Sequence, residues 1–128
     1  MIVVSDTSPI TNLAAVGQLD LLQRLFGEVV VPEAVARELR AAPAGSIGAV
    51  RVDEMEWIRV CAVADRTVVE SLAVELDEGE AETIALGKQI GGDFVLMDER
   101  RGRRTARRAS TATWICWLSA VSRVIGEA

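Results

Sequence analysis

The chain contains no histidine. That absence removes Ser-His and Cys-His nucleophile pairs, histidine-ligated zinc and imidazole acid–base chemistry. Cysteine is almost as scarce. Cys61 and Cys116 have neither a zinc-type spacing nor a secretory context, so a reduced, cytoplasmic protein is expected. The N-terminal apolar run Ile2-Val3-Val4 has no basic region before it and is far too short for a signal peptide or membrane span. A glycine-rich phosphate loop, an internal repeat and a low-complexity tract are all lacking. The net charge of −5 gives the whole molecule no attraction for nucleic acid. Any catalysis must therefore be led by carboxylates.

What is present is ordinary for a folded domain. Half of the 128 residues are apolar and a quarter are charged, which fits one domain over 1–128 able to bury about two-thirds of its unfolded surface. Apolar runs at Ile2–Ser5, Val29–Val31, Trp57–Val60 and Phe94–Met97 predict short buried strands. Between them, helical spacing predicts a segment entered at Asp6-Thr7-Ser8-Pro9, an apolar face at Leu19, Leu22, Leu25 and Phe26, and helices over Glu33–Arg40, Val68–Leu76 and Asp77–Ile90. Residues 41–48 read as a loop. Strands alternating with helices predict an α/β fold with a mainly parallel sheet.

Four carboxylates stand out against that frame. Asp6 and Asp98 each directly follow a predicted strand, and ligands of open α/β sheets bind beyond the carboxyl ends of the strands. Thr7 or Ser8 is the expected helix cap, which leaves Asp6 for a site. Glu38 and Glu80 lie in the helices between. Taken singly, Glu38 reads as a solvated helical residue, and the acids from Asp77 to Glu82 read as negative charge favoured at a helix N-terminus by about 0.3–1 kcal/mol each. After Asp98 comes a basic block, Arg100, Arg101, Arg103, Arg104, Arg107 and Arg108. A nucleic-acid partner would have to meet this local patch.

The segments Val4-Ser5-Asp6-Thr7-Ser8-Pro9-Ile10, Val31-Pro32-Glu33-Ala34-Val35 with Glu38-Leu39, Leu76-Asp77-Glu78-Gly79-Glu80-Ala81-Glu82 and Val95-Leu96-Met97-Asp98-Glu99-Arg100 together resemble PIN-domain proteins. In particular they resemble a prokaryotic group related to the toxin halves of toxin–antitoxin pairs. The resemblance covers residues 1–108. It implies a three-layer, PIN-like α/β fold and a small nuclease that cuts RNA with Mg²⁺ or Mn²⁺ held by a cluster of acids. Carried over by position, that cluster is Asp6, Glu38, Glu80 and Asp98, with Glu82 and Glu99 as alternates. Thr7 or Ser8 matches the small hydroxyl residue beside the first acid. Arg100, Arg103 and Arg104 are placed to hold RNA phosphates, or to meet an acidic stretch of an antitoxin.

Elementary electrostatics agrees with a metal at such a site. Two carboxylates ~4 Å apart repel by roughly 4 kcal/mol at an effective dielectric near 20, against a whole-domain stability of ~5–15 kcal/mol. Converging acids therefore need protons or a cation, and oxygen-only donors suit Mg²⁺ or Mn²⁺ over zinc. Two other classes compete with this reading. One is a degenerate PIN-like module that binds nucleic acid or protein without cutting. The other is a receiver-like or phosphatase domain using Asp6 as phosphate acceptor.

From residue 109 the sequence departs from the pattern. Trp114, Trp117, Leu118, Val121 and Ile125 fall at helical spacing, where relatives carry a short apolar strand and a further helix. The expectation is a terminal strand missing or altered, an open sheet edge and a tendency to homodimerise.

Overall fold

The computed structural model describes residues 1–97 and the short strand Ile115–Cys116. Asp98, Glu99 and the arginine block, with Arg100, Arg103 and Arg104, lie outside the described residues, as does the rest of the tail.

Five strands form one parallel sheet: β1 (Val3–Ser5), β2 (Val29–Pro32), β3 (Ile58–Cys61), β4 (Phe94–Met97) and β5 (Ile115–Cys116). Their spatial order is β3-β2-β1-β4-β5, and every pairing is parallel. The chain thus builds outward from β1 to one edge, returns, and builds to the other. The reversal places a topological switch point between β1 and β4, whose register pairs Val3 with Phe94, Val4 with Val95 and Ser5 with Leu96.

The helices are α1 (Thr7–Ala15), α2 (Asp20–Phe26), α3 (Glu33–Ala41), α4 (Arg66–Leu72) and α5 (Glu78–Gln89), with a 3₁₀ turn at Val52–Glu54. Strand alternation explains how they sort into layers. Val3, Val29, Val31 and Leu96 point into one core with Ile10, Leu13, Leu22, Val35 and Leu39. Val4, Val30, Val95 and Met97 point into the other with Val69, Ala81, Ile84 and Leu86. Because successive side chains on a strand face opposite ways, three-residue runs of valine and leucine feed both cores. The result is a three-layer α/β fold, as expected.

Three details depart from the expectation. The predicted helix over Val68–Leu76 is α4, which begins two residues earlier and stops at Leu72. Asp65 caps it, accepting from the backbone N–H groups of Thr67 and Val68. Ile115 and Cys116 pair in parallel with Leu96 and Met97 instead of continuing a helix. A strand therefore does follow β4, and the sheet edge expected to be open beside β4 is covered. The third concerns Asp6 and belongs to the site.

Candidate functional site

The site is built at the carboxyl end of β1. The backbone N–H of Asp6 donates to the Leu96 carbonyl at 3.1 Å, which extends the β1–β4 ladder by one residue and fixes Asp6 at the switch point. Its side chain is not spared for a ligand in the way the sequence suggested. Asp6 is buried, adopts an extended backbone, and accepts from the Thr7 N–H at 2.8 Å through Oδ1. It is the N-cap of α1, because the helix starts at Thr7 and not at Pro9.

The hydroxyl of Thr7 is thereby released for another task. Thr7 Oγ1 donates to Glu38 Oε2 at 2.6 Å, a short charge-assisted contact between the first turn of α1 and α3. Glu38 is exposed, yet it is not the solvated residue its isolated sequence context implied. Its other oxygen lies against the first turn of α5. A Cβ built on Gly79 would stand 2.8 Å from Glu38 Oε1, 3.5 Å from Asp6 Oδ1 and 3.5 Å from Asp77 Oδ1. A Cβ there would force the Glu38 carboxylate to shift, so glycine lets Glu38 take this position against the helix, while Asp6 and Asp77 stay at ordinary contact distance. Ser8 is half-buried one residue further along α1.

Glu80 has two roles on one carboxylate. With Asp77 it forms a reciprocal capping box: the Glu80 N–H donates to Asp77 Oδ1 at 2.8 Å, and the Asp77 N–H donates to Glu80 Oε1 at 3.1 Å. Glu80 is 8 % exposed, and its Oε2 has no hydrogen-bond partner. A buried carboxylate oxygen left without a partner is costly in the charged form. Burial is accordingly the main cause that pushes the Glu80 carboxyl up to about 7. The backbone N–H of Asp77 opposes the rise. A shared hydrogen bond with the Asp77 side chain and repulsion from Asp77 and Asp6 add to it.

Glu82, an alternate in the sequence reading, does structural work. It is 2 % exposed. Oε1 accepts from the Ala34 N–H at 3.0 Å, while Oε2 accepts from Arg66 at 2.9 Å and lies 3.9 Å from Arg37. The reason lies at the start of α3. Its N-cap is Pro32, which supplies no side-chain cap. The acceptor that a serine or aspartate would offer comes instead from α5. A proline at the cap position, with a glutamate embedded among Ala81, Thr83 and Ile84, was the available signal.

Asp6, Glu38 and Glu80 are thus brought to one end of the sheet, with Asp77 as a neighbour that sequence reasoning treated only as helix-terminal charge. Among the described residues, no three carboxylates or thiols are gathered tightly enough to enclose a metal ion by themselves. The chemistry of the donors does fit a hard cation: among the described residues all are oxygens, and one is an orphaned buried carboxylate oxygen. Among the described residues, no helix is long and apolar enough to cross a membrane.

A family model described as a PIN domain matches residues 2–114. No curated protein and no solved structure matches the chain.

Proposed function

The chain belongs to the PIN-domain family, whose members are generally nucleases, and from that premise we propose that it is a metal-dependent ribonuclease, the toxin of a toxin–antitoxin pair. The observation that carries this reading is the gathering of Glu38, Asp6 and Asp77 oxygens around Gly79, beside the unpartnered Glu80 Oε2. Asp6, Glu38 and Glu80, with Asp98 directly after β4 in the sequence, would hold Mg²⁺ or Mn²⁺. Such an ion, when bound, polarises a phosphodiester and lowers the pKa of an attacking water.

The chain's own residues have separate parts in this. Glu80, pushed up to about 7 by its burial, would have to be in its charged form to serve as a ligand. Thr7 holds Glu38 by its Oε2, so that Oε1 is turned to the site. Thr7 and Ser8, on the first turn of α1, lie where a substrate phosphate would approach. Arg100, Arg103 and Arg104 supply phosphate affinity without sequence preference. An acidic segment of an antitoxin would compete for the same arginines.

The test is Mn²⁺ binding by calorimetry together with cleavage of a labelled single-stranded RNA, for wild type and Asp6→Asn. Binding and cleavage by wild type, both lost in the variant, are expected. A folded wild type that binds RNA yet neither binds Mn²⁺ nor cuts would make the protein a non-catalytic nucleic-acid module instead.

A further inference from the structure

We propose that Glu82 is a positioning residue for Glu38, acting through the fit of α3 against α5. Ala34 and Glu38 are four residues apart and share one face of α3. Gly79 and Glu82 are three apart and share one face of α5. Beside the exposed Arg37–Glu78 pair at 2.8 Å, the two faces meet at two closely packed points. At one, Glu82 Oε1 accepts from the Ala34 N–H. At the other, the Glu38 carboxylate rests against Gly79 at a separation no side-chain carbon would permit. Two such points define the slide and the rotation of α3 along α5, which an exposed ion pair between flexible side chains does little to hold.

Glu82 is well made for the fixed end. It is buried, both oxygens are engaged, and Arg66 Nη1 at 2.9 Å neutralises its charge. It also replaces the cap that Pro32 cannot give, so without it the first turn of α3 has an unsatisfied N–H and a weaker hold on α5. The helix would then swing Glu38 away from Thr7 and Gly79, although Glu82 itself touches neither. The register of α3 stands on the contacts above. Its consequence for metal binding rests on the metal-site reading.

A double-mutant cycle separates positioning from bulk stability. Thr7→Val removes the donor to Glu38, and its effect on Tm is measured in four backgrounds: wild type, Glu82→Met, Glu82→Gln and Gly79→Ala. Glu82 and Thr7 are not in contact, so a merely structural Glu82 predicts the same loss in every background. The expected result is a clear Tm loss in wild type, none in Glu82→Met, and recovery of the wild-type loss in Glu82→Gln, which keeps the acceptor for Ala34. Gly79→Ala, which favours the helix by propensity and displaces Glu38 from the other end, is expected to abolish the loss as well. This background decides the question should Glu82→Met not fold. An equal loss in wild type, Glu82→Met and Gly79→Ala overturns the proposal. In parallel, Mn²⁺ affinity is expected to fall about 10- to 100-fold in Glu82→Met and to recover in Glu82→Gln. Failure of wild type to bind Mn²⁺ would count against the metal reading alone and leave the thermal cycle to judge the register.

Discussion

Thr7 Oγ1 and Glu38 Oε2 lie 2.6 Å apart, a bond that ties the helix after β1 to the helix after β2 across 31 residues of sequence. It exists because Asp6 has taken over the capping role that Thr7 would otherwise fill. Removing the hydroxyl should therefore cost tertiary and not helical stability. Thr7→Val is expected to lower stability by about 1 kcal/mol, or about 4 °C in Tm. Thr7→Ser, which keeps the donor, should remain close to wild type. Thermal melts of the two variants check this, and an unchanged Thr7→Val melt would show that the bond contributes nothing.

Asp6→Asn should separate binding from folding. Asparagine caps a helix as well as aspartate does, and the change removes a charge that repels Glu80. The metal-free variant is expected to melt at or slightly above the wild-type temperature while losing Mn²⁺ affinity. A large drop in Tm would mean that Asp6 serves the fold first.

Glu80 sets a pH dependence of stability in the metal-free protein. In the unfolded chain a glutamate titrates near 4.5, and in the fold Glu80 titrates at about 7. Between those values the folded state holds a proton that the unfolded state has released. The stabilising contribution is thus complete below about 4.5 and is lost as pH rises through 7. Glu80→Gln, whose amide oxygen can still accept from Asp77, should melt higher than wild type at pH 8 and converge with it towards pH 5. The reverse ordering would refute the buried-proton assignment. Because a cation must displace that proton, Mn²⁺ binding should weaken as pH falls below 7.

Gly48 offers a control remote from the acids. Its φ is +79°, and an added Cβ would lie 2.8 Å from the Thr11 carbonyl oxygen, which is backbone and cannot swing aside. Gly48→Ala is expected to cost about 1–3 kcal/mol by urea unfolding. Mn²⁺ affinity of the folded variant should not change, and a parallel loss of both would mean that the 42–50 loop reaches the site.

The limits of the strands and of α5 were legible because they depend on local pattern. Valine-rich runs and helical spacing each act over a few residues. The fold class and the grouping of Asp6, Glu38 and Glu80 at one end followed from strand–helix alternation and from family resemblance. What the sequence did not reveal was the division of labour among neighbours. Asp6 and Thr7 are both good caps, and only the folded chain shows Asp6 capping α1 while the Thr7 hydroxyl reaches Glu38, 31 residues away. Glu82 resembled a ligand because Pro32 signals a missing acceptor at α3 but not that a residue of α5 supplies it. Gln89, near the end of α5, brackets the loop after β3: its amide accepts from the Ala64 N–H and donates to the Ala62 carbonyl. Each of these is a pairing across the fold, invisible to any window of sequence.

The strand order has a consequence in time. β1 is made first, yet its partner on one side is β4, so the Asp6–Leu96 bond closes only after every residue up to Leu96 has been synthesised. At about 5–20 residues per second, the emerging chain spends several seconds with Asp6 already made but nowhere to dock. Glu38 and Glu80 arrive within that interval and still face no finished switch point. The switch point that holds Asp6 is therefore one of the last parts of the fold to be completed, formed only once synthesis has passed β4.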